Sequence, residues 1–157
     1  MMLKVDINNL IRRDSNGNVE VLHDIKFNIA EGKVYTILGK NGSGKSTLIK
    51  SLTNLLNENL FNVSGSVIWN GENIFLMSED RLLKLRQKEI SYVLQDLINN
   101  FDPLKKLKYY FDNSGFKLEI ISEQLKSFLL PDYKTISQLH AYEISGGMAQ
   151  RLSLMLA

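Results

Sequence analysis

Apolar residues recur along this chain in two rhythms. Ile25, Phe27 and Ile29 alternate with Lys26 and Asn28, and that period of two marks a half-buried antiparallel strand. Residues 2 to 11 and 19 to 23 read as two more strands joined at Asn16-Gly17-Asn18, where Asn-Gly supplies the positive φ angles of a tight hairpin. Val63 to Trp69, followed by Asn70-Gly71, predicts another strand and turn after the polar connection Asn57 to Asn62. Two short runs, Val34 to Leu38 and Glu89 to Asp96, predict buried strands. The second rhythm is helical. Leu48, Ile49, Leu52, Leu55 and Leu56 follow it. So do residues 78 to 88, which carry Ser78 as N-cap and Glu79 and Asp80 in the first turn. Over 118 to 130, Leu118, Ile121, Leu125, Phe128 and Leu129 share one face, and Pro131 stops the helix. An apolar helix with Leu152, Leu154, Met155 and Leu156 ends the chain.

Strands and helices thus alternate up to about residue 98, and a mostly helical stretch from 99 to 143 interrupts an otherwise α/β chain. With 157 residues, 44% hydrophobic and 23% charged, it is long enough and apolar enough for a packed core. The net charge of +2 is too small to argue for nucleic acid as a partner. Lys105, Lys106 and Lys108 among aromatics read as a solvated face. The absence of cysteine excludes disulfides and thiolate metal sites. No run is long enough to span a bilayer and the start lacks a signal-peptide pattern, so work at a membrane needs other chains.

The chemistry concentrates where the run Val34 to Leu38 meets a helix. Gly39-Lys40-Asn41-Gly42-Ser43-Gly44-Lys45-Ser46 fits G-x-x-x-x-G-K-[ST], and Thr47 follows. Glycines let the backbone approach a ligand closely, so successive N–H groups at a helix start can point into one concavity. Lys45 adds a cation for β- and γ-phosphates, and the Ser46 hydroxyl is placed to ligate Mg²⁺. The plainer reading, a glycine-rich turn with a solvated lysine, does not account for the strand before it and the helix after it. A nucleoside triphosphate is the expected ligand. Ser145-Gly146-Gly147 before the last helix has the same anion-facing geometry. Trp69 is expected to pack, and His23 and His140 to be surface or turn residues.

A phosphate loop, then Gln95 closing a strand, then Ser145-Gly146-Gly147 at a helix start resembles the nucleotide-binding domain of ATP-binding cassette (ABC) proteins over essentially the whole chain. The resemblance implies a P-loop NTPase core with an antiparallel β subdomain and a helical subdomain, incomplete at the C-terminus. Residues 1–98 are then β subdomain and core, 99–143 helical subdomain, and 144–157 signature motif and helix. Residues 39–46 match the Walker A motif, Gln95 the glutamine that helps place Mg²⁺ or the attacking water, and Ile144 to Met148 the signature. The chain looks most like ATP-binding subunits of the peptide/nickel import group. The grounds are Ser145-Gly146-Gly147-Met148 with Gln150-Arg151, Glu89-Ile90-Ser91 before Gln95-Asp96, and the Leu- and Arg-rich helix 78 to 87. It follows that ATP and Mg²⁺ are the cofactors and that two domains pair head to tail. Ser145, Gly146, Gly147 and Met148 of one then cap the triphosphate of the other. Permease subunits hold the protein on the inner, cytoplasmic face of the membrane.

The chain departs from the family at Ile144 and Met148, where the pattern is Leu and Gln. Residues 12 to 20 hold no Phe, Tyr, Trp or His, so no adenine contact is assigned. Residue Ala157 lies inside the helix after the signature, before a Walker B strand, a catalytic Glu or a switch histidine. The expectation is a cassette that binds phosphate with negligible hydrolysis by itself. Four or five uncovered core side chains, roughly 1.5 to 3 kcal/mol each, make it marginally stable or prone to aggregate. Two other readings stand beside the importer motor. One is a soluble cassette acting on ribosomes or DNA, which predicts a second cassette or a long coiled coil between the motifs, an insertion that the 49 residues between Gln95 and Ser145 leave no room for. The other is an ATP-binding module without turnover.

Overall fold

The computed structural model describes residues 2–15, 17–93 and 101–157, and divides into two compact units, Met1–Ile90 and Ser91–Ala157. In the first, β1 (Met2–Asp14) and β2 (Gly17–Ala30) form one long antiparallel hairpin, paired from Met2 with Ala30 to Asp14 with Gly17. The two strands expected over 19–23 and 25–29 are a single strand. Asp24, at φ 51°, absorbs the irregularity between them while His23 and Ile25 stay paired with Asn9 and Ile7. The other edge of β1 pairs with β3 (Phe61–Trp69), which pairs with the two-residue β4 (Glu72–Asn73), giving the order β2-β1-β3-β4.

One face of this sheet is the core. Leu3, Val5 and Ile7 are buried at every second position, as a strand demands, and then the phase jumps to Leu10. A register shift against β3 between Ile7 and Asn9 inserts one extra residue, which turns an even position inward. Leu48 in α1 (Lys45–Ser51), Leu52 just beyond it, and Leu82 and Leu85 in α2 (Glu79–Lys88) complete this cluster with Val67, Trp69 and Ile74. Helix α2 starts as its sequence predicts, with Ser78 Oγ accepting the Arg81 N–H. Trp69 packs in the core, 7% exposed.

Neither predicted buried strand forms among the described residues. Residues 33–38 join no sheet, and Val34 is 96% and Leu38 87% exposed. A strand exists through its ladder partners, and no strand of the described sheet pairs with residues 33–38. Glu89 closes α2, Ile90–Val93 form no strand, and the remainder of that run lies outside the described residues, Gln95 included.

The second unit packs α3 (Leu107–Asn113), α4 (Leu118–Ser127), α5 (Tyr133–Ile136) and α6 (Gly146–Leu156) around a core that includes Phe111, Ile121, Leu125, Ile136 and Leu152. Helix α4 ends earlier than its apolar pattern predicts. Leu129 takes φ 53°, the Leu129 N–H bonds to the Lys126 carbonyl, and the Leu130 N–H bonds to the Leu125 carbonyl. That pair of bonds closes the helix, turning Leu130 into the core and leaving Leu129 81% exposed. The lysine-rich stretch is solvated, with Lys108 paired to Asp112 at 2.7 Å and Lys105 over the ring of Tyr109.

Candidate functional site

The loop 39–44 lies on the first unit and leads straight into α1. Gly44, at φ 86°, is the N-cap. A Cβ there would lie 3.0 Å from Leu22 Cδ2 and 3.1 Å from Val21 Cγ1, so the loop rests on β2 at its closest approach. Two successive side chains of β2 reach the same glycine because the register slips at this point: Leu10 faces Leu22 and Ile11 faces Glu20, leaving Val21 as the bulged residue. At Gly39 a Cβ would meet Ser43 Oγ at 2.6 Å, so any larger residue there has to turn the Ser43 hydroxyl aside. The Ser43 N–H bonds to the Lys40 carbonyl at 3.2 Å, making the turn.

Lys45 is folded back into this loop. Its Nζ donates to the Gly39 and Lys40 carbonyls, both at 2.8 Å. An ammonium has three N–H donors, so one is left for an anion. The N–H groups of the first helical turn have no partner within the helix and carry the positive end of its dipole. Lys40, Asn41, Gly42, Ser43 and Ser46 are exposed, while Gly44, Lys45 and Thr47 are half-buried. An exposed glycine-rich loop carrying one cation at a helix start is suited to a polyanion. Leu48, buried one turn on, anchors it to the core.

In the second unit, Ser145 is the N-cap of α6, its Oγ accepting the Met148 N–H at 3.3 Å. Ser145, Gly146 and Gly147 are exposed and Met148 is half-buried, while Ile144 is buried at 5%. The residues ahead of it form a cap held by Glu143. The carboxylate of Glu143 accepts the backbone N–H of His140 at 2.7 Å and pairs with its Nδ1 at 2.9 Å. The N–H of His140, then its ring, hold the Glu143 carboxyl below the usual carboxylate range. This cap escapes a sequence search because its N-cap position is held by His and not by Ser or Thr; its one signal is a glutamate three residues on. His140 lies at a turn, as expected, and His23 is an exposed strand residue. Among the described residues no group of three or more His, Cys, Asp or Glu could hold a metal ion, and no helix is long and apolar enough to cross a membrane.

Both motifs fall within residues 22–157, the stretch matched by the family model described as ABC transporter. The chain belongs to the ABC transporter family. Its curated relatives include the metal-staphylopine import ATP-binding protein CntD of Staphylococcus aureus, 30% identical over 99% of this chain and 60% of the relative. They also include the dipeptide transport ATP-binding protein DppD of Caldanaerobacter subterraneus, 31% identical over 90% of this chain and 46% of the relative. The oligopeptide transport ATP-binding protein OppD of Escherichia coli is 28% identical over 90% and 44%. The chain thus spans 60% or less of the length of these three ABC relatives. The motifs around Gln95 and Ser145 resemble the peptide/nickel import group, and these relatives are named for peptide and metal-staphylopine import. In fold it is similar to the dimeric ATP-binding cassette MJ0796 in a post-hydrolysis state with ADP and Pi. The TM-score is 0.77, with 22% identity over 99% of this chain and 68% of that one. A second dimeric MJ0796 structure, of a bacterial ABC transporter cassette, gives a TM-score of 0.78 at 23% identity. The cassette fold expected from the motifs is therefore the fold of this chain.

Proposed function

We propose that this chain is the ATP-holding part of an importer motor, taking the triphosphate of MgATP into the loop at 39–47. The observation that carries the reading is Lys45, folded onto the carbonyls of Gly39 and Lys40 with one N–H to spare, at the start of a helix. Gly39 to Gly44 supply backbone donors, Lys45 the cation for the β- and γ-oxygens, and Ser46 a hydroxyl for Mg²⁺, with Thr47 completing the turn. Magnesium, when bound, neutralises charge on those oxygens. Gln95, which the motif order marks as a Mg²⁺ or water-positioning residue, has its role from sequence alone.

A second nucleotide-binding domain completes the site in this reading. Ser145, Gly146, Gly147 and Met148 of one copy face the phosphate held by the other. Ser145 accepts the Met148 N–H, so its own proton is left to donate. Residues 1–98 then carry the nucleotide, 99–143 meet permease subunits on the inner face of the membrane, and 144–157 form the trans cap. Peptides or metal complexes are the proposed cargo, a choice supported by what the relatives CntD, DppD and OppD import.

Binding of a fluorescent ATP analogue to this chain, against the Lys45→Ala variant, tests the reading. The expected outcome is a loss of at least about ten-fold in affinity; equal affinity in the two proteins would end the proposal.

A further inference from the structure

The carboxylate of Glu143 has no task in the proposed function, yet it holds the turn from which Ser145 emerges. Residues Ala141–Glu143 make a single 3-10 turn. Before it, the chain is tied down by the Leu107 N–H on the Leu139 carbonyl at 2.7 Å and by pairing of His140 with Lys106. Ala141 and Ile144 plug the core at 2% and 5% exposure. Glu143 reaches back across the turn, and its Oε2 takes both the His140 N–H and the imidazole Nδ1–H. The imidazole is stacked on Tyr142 with ring centres 5.2 Å apart and planes 11° from parallel, so the ring is held in one orientation. With the Glu143 N–H on the His140 carbonyl at 3.0 Å, the two donors converging on one carboxylate oxygen fix where residue 143 sits relative to 140. The direction in which the chain reaches Ser145 two residues later follows from that.

We propose that Glu143 is a positioning residue for Ser145: by gathering both N–H groups of His140 it sets the turn that holds Ser145 at the start of α6. The consequence for ATP rests on the phosphate-facing role given to Ser145 above; the positioning itself does not.

Amide hydrogen exchange on the 157-residue chain tests it, comparing Glu143→Ala with Glu143→Gln. Gln keeps an oxygen that accepts both N–H groups, whereas Ala keeps none. In Glu143→Ala the Met148 amide, which bonds to Ser145 Oγ, is expected to exchange about ten-fold faster, with Leu152 and Met155 unchanged. In Glu143→Gln it is expected to stay within about two-fold of the parent. A Met148 amide indifferent to Glu143→Ala, or a uniform rise along all of α6, would overturn the proposal, the second because it reports only lost stability. Binding of the ATP analogue is measured in the same samples. Its absence from the parent protein would count against the proposed function, while the exchange data would still decide the part played by Glu143.

Discussion

At the scale of single residues, two backbone positions carry more than their side chains suggest. Gly65, at φ 121°, lies where β3 crosses the irregular stretch of β1, and a Cβ would stand 2.2 Å from the Asp6 carbonyl oxygen and 2.8 Å from Ile7 Cα. Backbone atoms cannot give way as a flexible side chain can. Gly65→Ala is expected to cost about 3 kcal/mol, at the upper end for a single substitution. Urea unfolding followed by the fluorescence of Trp69, on the same strand, measures it; a change below about 0.5 kcal/mol would show that the sheet opens there freely. Leu129 is the reverse case, a bulky residue in the left-handed region at an exposed helix end, where glycine is the usual occupant. Leu129→Gly is expected to stabilise the second unit by about 0.5 to 1 kcal/mol, the relieved strain exceeding the added chain entropy. Circular dichroism in urea gives the sign. Sequence reasoning put Leu129 on the buried face because its spacing from Leu125 fits a helix, and periodicity cannot see that the helix has already closed.

At the scale of elements, α2 is fastened at both ends by arginines that no periodic pattern reveals. Arg86 donates to the Thr53 carbonyl at 2.9 and 3.1 Å and to that of Asn54, just past the end of α1. Removing it in Arg86→Ala leaves those acceptors short of charged partners and is expected to cost about 2 kcal/mol in a urea melt. Arg81 bonds to Glu72 at 2.8 Å and to Glu89 at 2.6 Å, and Glu89 also accepts the indole N–H of Trp69. Arg81, then Trp69, hold the Glu89 carboxyl below the usual carboxylate range. A carboxyl with a lowered folded-state pKa contributes stability above its unfolded pKa, about 4.3, and loses it as pH falls through the folded value. The unfolding midpoint read by Trp69 is therefore expected to drop below pH 4, and to drop less in Glu89→Gln. Equal acid sensitivity in both proteins would remove Glu89 from the account. Helix α2 itself was legible, because Ser78, Glu79 and Asp80 act on the backbone beside them. Its fastenings were not, because the partners lie up to 33 residues away in the chain.

At the scale of the whole molecule, residues 33–38 stand apart from the described sheet. Val34 and Leu38 stand almost fully exposed on a segment that no described strand pairs with, directly before the phosphate loop. Such a stretch is a template for association. The double variant Val34→Lys, Leu38→Lys is expected to raise the concentration at which the chain stays monomeric in light scattering, and unchanged self-association would clear the segment. By itself the sequence determined the order of the two glycine turns, the cap of α2 and the start of α6. It also marked the residues on which the family assignment rests, since each of these is read from neighbours within a few positions. Only the tertiary structure decided which apolar runs become strands and which glycines are packed against backbone. It alone showed that a bulge in β2 seats Gly44 and that Glu143 closes the turn before Ser145. Those outcomes depend on what lies alongside in space, and a strand, a close contact or a shared hydrogen bond has no existence until its partner is there.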